Sequence, residues 1–376
     1  MKHTYSFSAP GRTELGGNHT DHQHGCVLAA AIDLEITAQV VLNESPVIRV
    51  RSEGYAPFEV QISDLDCKQE EKGTAAALVR GVCAEFSRLG ANLQGFDMDV
   101  RSQVLPGSGL SSSAAFEVLF GTVCNTLFFD SKLSPEQIAQ MGQRVENTYF
   151  GKPCGLMDQM ACAVGGLVFI DFKESTPLVE SLHVDFSKAG YALCIIDTGA
   201  DHADLTDEYA AITRELKQLC TLLGKDYLRQ IPEEEFMAAL PRIREQVADR
   251  AILRAIHIYR ENRRVMAQKD ALAAGNIGNY LDLVNESGRS SWMYLQNIYP
   301  AGATEHQPMA LALALCDALL DGAGAFRVHG GGFAGTVQAY VPLDRLNAFV
   351  TGMEQVLGNG CCKILSIRNH GGVQIG

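Results

Sequence analysis

The chain has 376 residues, 47% hydrophobic and 20% charged, with 31 Lys and Arg against 44 Asp and Glu and a formal net charge of −13. Its length exceeds the ~250–300 residues at which one hydrophobic core stops growing, so two domains are expected, divided near residue 190 into 1–190 and 191–376. The acidic balance argues against nucleic acid or an anionic membrane as partner, and no apolar run reaches the ~18 residues of a membrane helix.

In chain order, the first distinctive stretch is "GRTELGGNHTDHQHG", residues 11–25, which packs glycines, three histidines, Arg12 and Asp21 together. Residues 26–42 are apolar and alternate toward their end, as a strand does. "VIRVRS" and "FEVQI" alternate on either side of Glu53–Pro57 and predict a hairpin. A helical pattern over 74–89 stops at Gly90, a C-cap residue. "FDMDVRSQV" alternates again and leads into a glycine and serine cluster at 106–113, followed by the apolar helix "AAFEVLFGTVCNTLF". Helical patterns recur at 135–149, 203–223, 233–247, 250–272, 276–295 and 305–320. Strand-like runs recur at 167–172, 191–197, 325–329 and 336–341. This mixture lacks a regular βαβ alternation, so the expected fold class is α+β. The eleven cysteines show no paired CxxC motif and no signal peptide precedes them, which predicts reduced thiols in a cytoplasm.

The most informative stretch is "LPGSGLSSSAAFEVLF", 105–120. A small-residue loop opening into a helix aims unpaired N–H groups outward with the helix dipole behind them, an arrangement suited to phosphate. A serine hydroxyl there could also reach a phosphate-bound Mg2+. The same letters also suit a helix that is merely capped by serine. The spacing is neither GxxxxGK[ST] nor a correctly placed GxGxxG.

"PGSGLSSSAAFEV" resembles the phosphate-binding motif of the GHMP kinases, in the wording of their galactokinase branch. Three further segments resemble that branch in its own order: residues 11–25 its N-terminal motif GRVNLIGEHTDYNGG, residues 145–165 its catalytic segment, and "VHGGGFAGTVQAYV", 328–341, its C-terminal glycine-rich motif. The resemblance implies a two-domain GHMP fold with the active site in the interdomain cleft, and an ATP-dependent, Mg2+-assisted sugar 1-kinase. It implies ATP and a monosaccharide as ligands and a monomer or weak homo-oligomer. Asp158 and Arg12 match the catalytic aspartate and its neighbouring arginine. Gly107, Ser108, Gly109, Leu110, Ser111, Ser112, Ser113 and Ala114 match the nucleotide loop, with Ser112 and Glu146 as the Mg2+ contacts. Asn18, His19, Asp21, Gly155 and Tyr209 match the sugar contacts, Tyr209 through "LTDEYAAITREL". The loop 329–335 is expected to pack on the phosphate loop.

The opening motif departs from the family. Glu14 stands where the family has asparagine, and Asn18 stands where it has the glutamate that accepts from the sugar's 6-hydroxyl. Plant galacturonokinases also lack that glutamate and read HxDHQ, as "HTDHQ" does here, so galacturonate or N-acetylgalactosamine is the alternative substrate to galactose. A non-catalytic sugar sensor is the alternative of another class, although the intact "GLSSSAA", Arg12 and Asp158 favour an enzyme. His19, His22 and His24 also invite a metal-site reading, though without HExxH spacing. Arg368 and His370 in the C-terminal stretch are polar enough to reach an active site but match no motif.

Overall fold

The computed structural model describes residues 3–104, 109–152, 154–200 and 205–376, without the side chain of Thr206. Its foundation is a long antiparallel hairpin of β1 (Thr4–Gly16) and β2 (Cys26–Leu42), paired along most of its length. β1 is buried on both faces from Phe7 onward, so it lacks the alternation that betrays a half-exposed strand. Pro10 and Gly11 interrupt it further, and the register shifts between Pro10 and Arg12 and again between Glu14 and Gly16. Such irregularities re-aim side chains, and here they fall on the residues that matter.

β3 (Val47–Ser52) and β4 (Phe58–Gln61) form the expected hairpin, and β5 (Phe96–Ser102) joins β2 to β3, lying parallel to β3. β6 (Leu167–Asp171) pairs with the start of β2 and with β7 (Leu178–Leu182). Against this sheet pack α1 (Ala75–Arg88), α2 (Ser112–Phe128), α3 (Pro135–Val145) and α4 (Met157–Val164), which share one large core with it. α3 starts with a complete capping box, Ser134 and Gln137, with Pro135 in its first turn. α2 is apolar nearly all round because it is buried between the sheet and the other helices.

A second sheet begins at β8 (Tyr191–Asp197), which pairs with β10 (Thr336–Pro342); β9 (Ala325–His329) and β11 (Cys362–Leu365) complete it. α9 (Pro308–Leu320) and α10 (Leu346–Leu357) cover it with their own core. α5 (Thr206–Leu222), α6 (Glu233–Ile243) and α7 (Asp249–Ala273) form a third cluster. α8 (Ile277–Ser290) follows and packs on α7 and β9. Among the described residues no helix is long and apolar enough to cross a membrane.

The C-terminal stretch is tied into the first sheet. β12 (Val373–Gln374) pairs with β1, so the chain returns to the first sheet at its end. Arg368 donates to Glu35, to Ser8 Oγ at 2.6 Å and to the Gly371 carbonyl, while its backbone joins Ala31 and Gly166. Gly371 lies so close to α4 that a Cβ there would sit 1.9 Å from the Ala163 carbonyl oxygen. Gly371→Ala must therefore push backbone against backbone, and it is expected to cost about 1–3 kcal/mol. A drop of several degrees in Tm would register that cost; an unchanged Tm would show that the contact yields freely.

Candidate active site

Arg12 leaves the irregular part of β1 and is almost completely buried. Its Nε donates to Asp158 Oδ1 and its Nη2 to Asp158 Oδ2, both at 2.7 Å, a bidentate fork. Nη1 donates to the Gly109 carbonyl at 2.6 Å, and the Arg12 backbone N–H donates to the Leu110 carbonyl. One guanidinium thus holds the first strand, the phosphate loop and α4 together. Asp158 is the second residue of α4, where the helix dipole favours a negative charge. Burial pushes its carboxyl upward, but the Arg12 charge and hydrogen bonds, with that of Ser111, bring it below the ordinary carboxylate range.

Ser111 occupies the N-cap position of α2 in a left-handed conformation, φ 58°, yet its side chain makes no capping bond. Its hydroxyl donates instead to Asp158 Oδ2. Of the other loop residues, Gly107 and Ser108 lie outside the described residues, while Leu110 and Ala114 are buried beneath the loop. Of the two residues expected to contact Mg2+, Glu146 meets the serine after Ser112, because each helical step turns the side chain by about 100°. Ser113, not Ser112, faces Glu146, its Oγ donating to Oε1 at 3.1 Å. Glu146 opens a five-residue π-turn, Glu146–Phe150, an irregularity that often marks functional positions.

Behind Glu146 stands Gln159, which sequence reasoning passed over although it directly follows Asp158. Its Nε2 donates to Glu146 Oε2 at 2.7 Å and to Glu117 Oε2 at 3.0 Å. Glu117 is buried, with Oε1 unpartnered. Burial, with the neighbouring Glu146 charge, raises its carboxyl well above the usual value. The oxygen donors of Ser113 and Glu146 and the orphaned carboxyl oxygen of Glu117 suit a hard divalent cation held by few protein groups.

The expected sugar contacts gather beyond Asp158. Gly155 sits so close to Asp21 that a Cβ would come within 2.0 Å of Oδ2, so any side chain there would have to displace that carboxylate. His19 donates from Nε2 to the Gly331 carbonyl at 2.9 Å, and burial, with the neighbouring His22, holds its imidazole down at about 4, hence neutral at pH 7. The Tyr209 hydroxyl donates to the Gly332 carbonyl at 2.8 Å, and burial pushes the phenol up to about 12. A Cβ on Gly331 would strike the Tyr209 ring at 2.5 Å, and one on Gly109 would meet Thr336 Oγ1 at 2.7 Å. The glycine-rich loop therefore packs on both the sugar wall and the phosphate loop. His24 stacks on Tyr227, with ring centroids 3.8 Å apart, so the three histidines of the opening motif do not converge on a metal.

Asn18 does not face the pocket. It is fully buried, its Nδ2 donating to the Gly330 carbonyl at 2.6 Å and to Glu14 Oε1 at 3.4 Å. Its Oδ1 accepts from Asn297 at 2.8 Å and from Ser291 at 3.3 Å, partners separated from it by more than 270 residues and invisible to local pattern. Glu14 itself accepts from Arg327 of β9, and both are buried. Burial raises the Glu14 carboxyl, with Arg327 opposing.

This geometry accompanies clear similarity to known proteins. Residues 77–166 match the model of the GHMP kinases N terminal domain, and residues 2–41 match the galactokinase galactose-binding signature. The chain is 31% identical over 353 residues to a galactokinase of Streptomyces coelicolor, covering 93% of this chain and 87% of that one. It is 32% identical over 359 residues to a galactokinase of Lactococcus lactis subsp. cremoris, covering 93% and 86%. In fold it is similar to the crystal structure of Lactococcus lactis galactokinase complexed with galactose, with a TM-score of 0.85 at 24% identity over 99% of this chain and 95% of that one. A mevalonate kinase structure shares the fold with a TM-score of 0.70 at 13% identity, over 97% and 99% of the two chains. Mixed sheets and helices, the phosphate loop and the sequence similarity agree: the chain belongs to the galactokinase family of the GHMP kinases, phosphotransferases that act on a hydroxyl group.

Proposed function

We propose that the chain transfers the γ-phosphoryl group of ATP to the anomeric hydroxyl of galactose, with Asp158 and Arg12 at the reacting atoms. The observation that carries this reading is the fork between them. A carboxylate offers about four lone-pair positions; Arg12 and Ser111 occupy three, leaving one on Oδ1. Asp158 retains 32% exposure of its side chain, which leaves the carboxylate within reach of a ligand. A carboxyl held below its ordinary range is a weak base. Asp158 therefore orients the hydroxyl first and takes its proton as the bond to phosphorus forms, in keeping with a loose transition state. Arg12 keeps Asp158 ionised and lies beside the loop that would cradle the transferring group. Asp21, Gly155, His19 and Tyr209 form the wall that would fix the sugar's orientation. Ser113 and Glu146 would hold Mg2+, which when bound offsets charge on the phosphates. All eleven cysteines are free, which supports a reducing compartment such as the cytoplasm.

Coupled ADP release with a panel of galactose, N-acetylgalactosamine and galacturonate tests the substrate. Galactose should be turned over best, and Asp158→Ala should lower kcat by about 10²–10⁴-fold. Turnover of galacturonate without galactose would reassign the sugar, and binding of both ligands without turnover would favour a sensor.

The pH dependence has a definite sign. Asp158 is ionised down to a value below the ordinary carboxylate range, so the unmodified chain should show no acid limb from it above pH 5. Arg12→Ala removes the main stabilisation of that charge against burial. The acid limb of its kcat/KM profile should move upward, alongside a loss of about 10²–10³-fold at neutral pH. A profile of unchanged shape would separate Arg12 from the ionisation of Asp158.

Gln159→Leu leaves Glu146 without its rear donor and next to Glu117. The Mg2+ concentration for half-maximal rate should rise about tenfold, with a matching loss of Mn2+ binding by electron paramagnetic resonance in the absence of sugar. Unaltered Mn2+ affinity would show that Gln159 does not orient the metal site.

A further inference from the structure

Glu14 and Asn18 depart from the family motif together, and they do so reciprocally. Where that motif reads asparagine and then, four residues on, glutamate, this chain reads glutamate and then asparagine. The two side chains touch, Asn18 Nδ2 donating to Glu14 Oε1 at 3.4 Å. The carboxylate–amide pair is therefore retained with its order reversed.

The reversal moves the charge away from the pocket. Glu14 lies on the irregular part of β1 and accepts from Arg327, which is fully buried and also donates from Nε to the Val328 carbonyl. Asn18 has two amide hydrogens and two acceptor positions, and all four are used: Gly330 and Glu14 on the donor side, Asn297 and Ser291 on the acceptor side. The Asn18 carbonyl is taken as well, by His257 Nε2 at 3.0 Å. An asparagine so saturated and without exposed surface has nothing left to offer a ligand. What it does hold is the Gly330–Gly332 turn, the same turn that receives His19 at Gly331 and Tyr209 at Gly332.

We infer that Glu14, anchored by Arg327, is the positioning residue of the sugar wall in this chain, and that it acts through Asn18 on the Gly330–Gly332 turn while residue 18 itself reads no sugar hydroxyl. The inference rests on the sugar-kinase reading above for its kinetic consequences, but not for its structural ones. With glutamate at position 18 and Glu14 left in place, two buried carboxylates would meet and the Gly330 carbonyl would lose its donor. With asparagine at position 14 alone, Arg327 would lose its partner. Both changes together restore one carboxylate and one amide, in the order of the family motif.

The test is a double-mutant cycle of Glu14→Asn and Asn18→Glu, with Glu14→Gln as a milder single change. Each single substitution should raise the KM for sugar by about tenfold while the KM for ATP stays within about twofold, and the double exchange should recover most of that loss. Amide hydrogen exchange should show faster exchange at both 14–22 and 329–335 in each single variant and protection regained in the double. A residue that merely stabilised the fold would lower Tm without splitting the two KM values. The inference is overturned if Asn18→Glu alone lowers the sugar KM regardless of residue 14, since position 18 would then contact the sugar. It is equally overturned if Glu14→Gln leaves sugar KM and loop exchange unchanged. Should the unmodified chain phosphorylate no hexose, the functional reading fails, and the exchange data alone decide whether Glu14 controls the turn.

Discussion

Everything in the candidate site is referred to the position of one buried guanidinium. Arg12 is fixed at its base by a strand buried on both faces and at its tip by Asp158 and the Gly109 carbonyl. A planar fork can satisfy a carboxylate and a loop carbonyl simultaneously, which a lysine's point charge could not do with the same geometry. The register shift after Pro10 turns this side chain toward α4. Without that irregularity, strict alternation along β1 would set the direction of Arg12 by the pleat alone. The strand's breach of regularity is thus what brings three separate parts of the sequence to one point.

The two sheets meet through apolar side chains such as Leu193, Ile195 and Tyr340 and through a buried chain of polar groups. Gln338 donates to Thr13 Oγ1, Thr13 to His329 Nε2, and His329 Nδ1 to Thr336, all in the interior. Burial, with nearby Arg12 and Arg327, drives the His329 imidazole well below its usual range, so it stays neutral and accepts at one nitrogen while donating at the other. Such a chain is directional and holds one register, whereas an apolar contact tolerates sliding. Glycines then allow the loops to close to distances no side chain permits, as at Gly109 against Thr336 and Gly155 against Asp21. Directional bonds in the interior and close glycine contacts together hold the loops around Arg12 in one register.

Much of this was readable in the sequence, and the misses have physical reasons. Strands with one exposed face and helices with a clear apolar period were legible, including β3, β4, β5 and α1. β1 was not, because burial on both faces removes alternation and Pro10 and Gly11 counterfeit a turn. β7 and α10 escaped for the opposite reason: β7 is short and largely exposed, and α10 begins without a side-chain cap. In the site, residues carried by a motif were legible, but register within the triple serine was not, since adjacent hydroxyls differ only by a rotation about the helix. Ser111 took the aspartate and Ser113 the glutamate. Asn18 is the informative case. Its type and motif position pointed toward the pocket, and only the distant partners Asn297, Ser291 and Gly330 reveal that it faces inward.

The carboxyl groups show how an acidic chain can manage a polyanionic substrate. Asp158 and Glu117 lie in the same region of the first sheet's helices, and their environments push them in opposite directions. Asp158 is held below the ordinary carboxylate range by a guanidinium and a hydroxyl, whereas Glu117, buried beside Glu146 with only the Gln159 amide for a partner, is raised well above it. A carboxyl raised in this way gives up its charge more readily, which lessens the repulsion that three adjacent carboxylates would direct at incoming phosphates. It also lets one amide serve both Glu117 and Glu146, because Gln159 Nε2 has two hydrogens to give. Where titratable neighbours are driven apart in this way, their roles separate: one remains a charged acceptor at the reacting centre, and the other becomes part of the support behind it. The net charge of −13 belongs to the whole chain, whereas beside the loop one carboxylate is paired with Arg12 and another carboxyl is raised well above its ordinary range.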